Sequence, residues 1–203
     1  LSCIGQPSLE FNMFEPEPRS REDFLRYASD VTLDPNTANK RLSLSDGNRR
    51  ATRVCEEQSY PDHPDRFDHY YQVLSTEGLT GRCYWEVECS VKNVFIAVSY
   101  RDIKRRGNGH ENAFGYNDKS WALRCQKNSY SFYFNDLESE VSGPISGRIG
   151  VYLDHSAGAL SFYSVKDKTM SLLHRVQTTF TQPLFAGVWL GYTGDTVHFL
   201  KLK

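Results

Sequence analysis

Residues 148–165 read RIGVYLDHSAGALSFYSV. An Asp, a His and a Ser stand side by side at 154–156, the three residue types of a hydrolase triad. Their flanks give them another meaning. Ile149, Val151 and Leu153 alternate with Arg148, Gly150 and Tyr152, and Leu160 and Phe162 alternate with Ser161 and Tyr163. Such alternation places successive side chains on opposite faces of a strand. Two such runs joined by DHSAG predict an antiparallel hairpin, with Asp154 hydrogen-bonding the turn backbone and Gly158 taking positive φ. Three consecutive turn residues do not line up nucleophile, base and orienting acid, which a triad draws from separate parts of a fold. No G-x-S-x-G elbow occurs elsewhere. The hydrolase is the weaker reading.

The same period runs through most of the chain. In RCYWEVECS, Cys83, Trp85, Val87 and Cys89 share one face, and Tyr84, Glu86 and Glu88 share the other, which is expected to be wet. NVFIAVSY, from Asn93 to Tyr100, is continuously apolar, as a central strand buried on both faces would be. KSWALRC, SYSFYFN, ALSFYSV and LFAGVWLGY follow at short intervals, separated by Gly, Asn, Asp and Pro. Many short strands with almost no helix predict an all-β antiparallel sandwich or barrel. One helix start stands out: in SREDFLRYA, Ser20 is an N-cap candidate with Asp23 three residues on. EPEPRS before it, residues 15–20, reads as a linker or a stop.

The chain has 203 residues, 39% of them hydrophobic and 24% charged, and a formal net charge of -1. That composition supports one substantial core. Near-neutral charge argues against a nucleic-acid binder that neutralises phosphates. RDIKRRG, residues 101–107, is the one basic cluster and is expected to be a solvated turn. No apolar run is long enough for a membrane span, and the N-terminus lacks a secretory layout. The chain also lacks an initiator Met, so we expect a piece of a longer protein. The five cysteines, Cys3, Cys55, Cys83, Cys89 and Cys125, have neither CxxC pairs nor His at ligand spacing. Cys83 and Cys89 in one strand would lie roughly 20 Å apart, beyond bridging. Reduced structural thiols in an intracellular, cytoplasmic protein are expected.

Several polar clusters invite chemistry. YPDHPDRFDHY, residues 60–70, gathers Asp62, His63, Asp65, Asp68 and His69, but its two prolines mark a surface loop and the histidines lack a zinc-binding helical register. His110 and Glu111 raise the same thought with less support. Glu86 and Glu88 share one strand face and do not straddle a sugar from opposite sides, as glycosidase acids do. No P-loop or dinucleotide fingerprint is present. We therefore expect no catalytic residue, metal or cofactor. The positive signal is aromatic: 13% of the chain, with 12 Tyr and 12 Phe, several beside charged residues in loop-like stretches. Recognition surfaces use such residues for contact area at low entropy cost.

VTLDPNTANKRLSLSDGNRRATRV, PDRFDHYYQVLSTEGLTGRCYWEVE and GVYLDHSAGALSFYSV together closely resemble the PRY-SPRY (B30.2) domain, most of all that of fish tripartite-motif proteins. Three signatures occur in order: Leu33-Asp34-Pro35, the WEVE of Trp85 to Glu88, and an element beginning at Leu153. The last reads Leu153-Asp154-His155-Ser156, where the family pattern has Tyr and Glu after the Asp. The resemblance covers about Arg21 to Lys203. It implies a bent sandwich of two antiparallel sheets, one continuous domain with a PRY part over residues 20–75 and a SPRY part over 76–203, after a tail or linker at 1–19. It implies a non-catalytic module that binds a protein or peptide through loops at one end. In tripartite-motif ubiquitin ligases this module selects the substrate, often in innate immunity, while a separate RING domain recruits the E2 and a coiled coil outside the module sets oligomeric state. The same module also ends nucleotide-binding immune receptors and the pore-forming toxins of stonefish. Carried over by position, the binding face takes in Tyr60, Phe67, Tyr70 and Tyr71, then Asn93, then Arg124, Gln126, Tyr130 and Phe132, and finally Tyr192 and Asp195. Trp85, Val87, Leu153 and Phe162 are assigned to the core. Neither nucleic acid nor membrane is expected as a partner.

Overall fold

The alternation at 148–165 becomes a hairpin. In a computed structural model of the chain, which describes residues 15–90 and 93–203, strand β9 (Arg148–Asp154) pairs antiparallel with β10 (Ala159–Lys166), Asp154 opposite Ala159. Asp154 Oδ1 accepts the Ala157 N–H at 3.1 Å. Gly158 has φ +71°, and a Cβ there would sit 1.6 Å from the Thr178 carbonyl oxygen. Asp154, His155 and Ser156 form no triad: the Asp154 carboxylate meets Arg82 at 3.1 Å, and His155 Nε2 lies 2.6 Å from the Gln182 carbonyl.

The remaining strands, in chain order, are β1 (Leu42–Ser45), β2 (Arg50–Arg53), β3 (Gln72–Leu74), β4 (Arg82–Cys89), β5 (Asn93–Tyr100), β6 (Ser120–Gln126), β7 (Ser129–Phe134), β8 (Leu137–Val141), β11 (Thr169–Gln177), β12 (Leu184–Leu190) and β13 (Thr196–Phe199). They form two antiparallel sheets. One has the order β1-β2-β13-β4-β9-β10-β11, and the other β3-β12-β5-β6-β7-β8. Two of the first three strands join strands from the far end of the chain: β2, which also carries β1, pairs with β13, and β3 with β12. The part before β4 therefore completes both sheets rather than standing as a separate unit.

One core lies between the sheets. Trp85, Val87, Ile149, Val151, Leu153 and Phe162 of the first meet Val94, Ile96, Leu123, Phe132 and Val188 of the second, all 5% exposed or less. Trp85, Val87, Leu153 and Phe162 are core residues, as the sequence led us to expect. β5 is buried along nearly its whole length, also as expected. Cys83, Cys89 and Cys125 are buried free thiols and Cys55 an exposed one; Cys3, like the first part of the expected 1–19 linker, lies outside the described residues.

The outer face of β4 corrects the sequence reading. Glu88 is exposed, but Tyr84 and Glu86 are wholly buried. Helix α1 (Arg21–Leu25), capped by the reciprocal Ser20 and Asp23 hydrogen bonds of a capping box, lies over them. Phe24 packs its ring 5.3 Å from Tyr84, 5.1 Å from Tyr152 and 5.0 Å from Tyr163. Arg21 grips the Glu86 carboxylate with Nε at 2.9 Å and Nη2 at 3.1 Å, and Tyr84 donates to it at 2.6 Å. The EPEPRS segment is likewise held down: the Tyr27 hydroxyl donates to Glu15 at 2.6 Å, Arg175 pairs with Glu17, and Pro18 is buried.

Candidate functional site

The outer face of the second sheet carries a separate cluster. Alternation that sends Val94, Ile96, Leu123 and Val188 inward sends Phe95, Ala97, Ala122, Tyr133 and Trp189 outward. Two segments cover part of this face, the loop 60–71 and the connection between β5 and β6. Phe67, Ile103 and Phe114 plug them into it, Phe67 meeting Phe114 edge-on at 5.6 Å.

Arginines fix the two segments together. Arg66, 4% exposed, donates to the carbonyls of Pro35, Ala38 and Pro61 at 2.7–2.8 Å. Arg101 pairs with Asp65 at 2.9 Å, and Arg105 donates to the Asp65 carbonyl at 2.6 Å. Asp68 accepts the Gly107 N–H at 2.8 Å, and Tyr70 donates to the Asn108 carbonyl at 2.7 Å. The basic run 101–107 is thus only partly the solvated turn expected: Lys104 and Arg106 are exposed, but Arg101 and Arg105 act as clamps and Ile103 is buried. Burial moves Arg66 and Arg105 below the usual arginine range.

Beside this loop lies a cleft of about 570 Å³. Tyr70, Tyr71, Asn93 and Trp189 line it together with Arg53 and Arg66. Arg53 lies 3.6 Å from the centroid of the Tyr71 ring and donates to the Gly191 carbonyl. Trp189 stacks on Phe95 at 4.4 Å and meets Tyr70 edge-on at 5.2 Å. Next to it, Arg124 donates to Asn93 Oδ1 at 2.7 Å and to the Tyr133 hydroxyl at 3.2 Å. Burial pushes the Tyr133 phenol up to about 12, so it stays a neutral donor and acceptor at physiological pH.

The structure brings Tyr70, Tyr71, Asn93 and Arg124 to one surface, with Gln126 half-buried at the end of β6. Tyr192 is 56% exposed on the turn before β13. Five expected contacts are corrected by burial or by structural duty. Tyr60 packs against the core and donates to the Leu42 carbonyl at 2.8 Å. Phe67 is the plug described above. Tyr130 and Phe132 face inward from β7, Tyr130 donating to the Pro144 carbonyl at 3.0 Å and Phe132 stacking on His174 at 3.9 Å. Asp195, 1% exposed, accepts the Tyr192 N–H at 2.9 Å and shapes the turn instead of facing a partner. Trp189, Phe95 and Tyr133 were missed; the period-two pattern of LFAGVWLGY and SYSFYFN carried the signal for Trp189 and Tyr133, whereas Phe95 sits in the continuously apolar NVFIAVSY. His63 accepts the Asp65 N–H at 3.0 Å and His69 meets Tyr70 edge-on at 4.9 Å, so the histidines of this loop are part of its architecture. Among the described residues no three His, Cys, Asp or Glu side chains converge to hold a metal ion.

A two-sheet sandwich that clamps its loops into a concave aromatic and arginine-lined face has the build of a binding module. The chain belongs to the SPRY domain family: the SPRY domain matches residues 82–202, and the SPRY-associated domain PRY matches residues 31–79. Tripartite motif-containing protein 16 of Mus musculus is 33% identical over 195 residues, covering 95% of this chain and 35% of that protein. Neoverrucotoxin subunit alpha of Synanceia verrucosa is 39% identical over 188 residues, covering 90% of this chain and 27% of the toxin subunit. Among solved structures, the TRIM65 PSpry domain superposes with a TM-score of 0.81 at 27% identity, covering 92% of this chain and all of that one. The chain spans about a third or less of the length of these two curated relatives. SPRY domains bind protein ligands, and this one resembles the C-terminal domains of tripartite-motif proteins.

Proposed function

We propose that this chain is the substrate-recognition domain of a cytoplasmic, tripartite-motif-type E3 ubiquitin ligase of innate immunity, and that it captures a protein or peptide in the cleft beside Trp189. Similarity to tripartite-motif proteins supports the setting. The observation that carries the recognition role is the cleft itself, where Tyr70, Tyr71 and Trp189, with Arg124 beside them, are held by stacking and hydrogen bonds before any ligand arrives. Side chains held in advance lose less entropy on binding. Neither nucleic acid nor membrane is a partner in this reading. Ubiquitin transfer belongs to a RING elsewhere in such a protein, and oligomerisation to a coiled coil outside these residues.

The test is proximity labelling in cells with the parent protein carrying wild-type, Trp189→Ala or Arg124→Ala domains. Proteins labelled by wild type should be lost from both variants, with each purified domain still folded at the assay temperature by circular dichroism. They should also gain ubiquitin only when the parent protein is present. Identical labelling by all three would reject the cleft. The 39% identity to a toxin subunit favours one second reading, the terminal domain of a stonefish-type toxin. Residues preceding Leu1 distinguish the two, as a RING, B-box and heptad repeats or as a toxin body.

A further inference from the structure

The cleft carries surplus positive charge. Lys40, Arg41, Arg53, Arg66 and Arg106 line it against the carboxylates of Glu57, Asp62 and Asp68. Lys40 takes up Asp62 at 2.9 Å, and Asp68 is occupied by the Gly107 N–H. Among the described residues, the arginines of this cleft have no carboxylate within ion-pair distance. Arg53 and Arg66 are held by backbone carbonyls, and Arg41 by the Cys55 carbonyl. Arg66 is the sharpest case. It is 96% buried by its 4% exposure, it keeps a full charge at the cleft wall, and its Nε has no hydrogen-bond partner among the described residues. Asp62 and Asp34 act on it only at longer range than an ion pair, so its burial is incompletely compensated and a partner's negative charge would be favoured there.

We propose that the cleft takes an acidic protein segment, with Asp or Glu side chains set beside the arginines and a neighbouring apolar side chain on Trp189. This deepens the recognition reading above and rests on it. Carboxylates fit better than a phosphate. The Nη groups of Arg66 and one Nη of Arg53 already donate to carbonyls, so these two arginines present no open two-pronged fork of the kind that favours a dianion. What the site offers is a positive field spread along its wall, which separate monoanions on an extended chain match. Trp189 and Tyr70, in edge contact, give the apolar residue its seat.

The experiment is selection of random dodecapeptides on the immobilised chain, followed by fluorescence polarisation with synthetic copies of the enriched sequences. Enriched peptides should pair Asp or Glu with a nearby aromatic or aliphatic residue. Replacing their acids by Asn or Gln should weaken binding about tenfold or more, as loss of charge pairing does. An Arg41→Glu/Arg106→Glu variant should weaken them similarly while melting like wild type. Neutral or basic peptides that still need Trp189 would overturn the charge inference and leave the recognition face standing. So would peptides whose capture requires phosphoserine. Binding unaffected by Trp189→Ala, or no enrichment at all, would overturn both.

Discussion

Arg21→Ala tests the docking of α1 on the sheet. The substitution removes two hydrogen bonds, at 2.9 and 3.1 Å, from the wholly buried Glu86 carboxylate. Hydrogen bonds to charged groups are each worth about 1.5–3 kcal/mol. The full sum is not lost, because Tyr84 still donates at 2.6 Å and Arg148 approaches at 3.4 Å. The Arg21 side chain is also 21% exposed, so water enters when it leaves. We expect a loss of about 2–4 kcal/mol, in line with breaking a partly compensated buried pair. For a domain of this size that lowers Tm by roughly 6–12 °C. Thermal unfolding followed by circular dichroism reads the shift, and hydrogen exchange should show residues 21–25 opening first. Adding Glu86→Gln to Arg21→Ala should recover part of the loss, since a neutral amide needs no cation. If Arg21→Ala melts within about 2 °C of wild type, or the two changes add within about 0.5 kcal/mol, the carboxylate does not depend on the helix.

Trp85→Ala should cost about 3–5 kcal/mol, because the side chain is 1% exposed between the sheets, and an unchanged urea midpoint would contradict that placement. Gly158→Ala should cost at least about 1–2 kcal/mol from its left-handed φ of +71° and more from the Thr178 carbonyl; equal stability would mean that the turn rearranges. His174 is a pH test. Burial lowers its pKa in the folded state, so the unfolded chain binds the proton more readily. Its contribution to stability is whole above about pH 6.5 and is lost as pH falls from there through the lowered folded pKa. His174→Phe should therefore flatten the fall in Tm between pH 8 and 5, and parallel curves for the two proteins would refute this.

The contrast between Ile149 and Tyr84 shows how far local pattern reached. Alternation at 148–165, the capping residues Ser20 and Asp23, and Gly158 at its turn are encoded within a few neighbouring positions, so hairpin, helix start and sandwich class were legible. The same alternation placed Tyr84 and Glu86 on one face of β4 and said nothing of α1 arriving to cover it. Some expected contact residues were misplaced for the same reason. Phe67, Tyr130 and Phe132 looked available because aromatics near loops are common in recognition surfaces, yet each turns toward a core. Trp189 and Tyr133 were read as strand residues when their phase already pointed outward.

Residue order alone therefore established the strands, their two-faced character and the family signatures, since backbone geometry links neighbours at fixed spacing. Which face meets water, and which arginines share a cleft with Tyr70 and Trp189, depended on segments far apart in the chain. β2 joins β13, and loop 60–71 locks onto the β5–β6 connection, only when the sheets close around a shared core. Burial belongs to that closed assembly, because a side chain is dry only once something distant in sequence has packed over it.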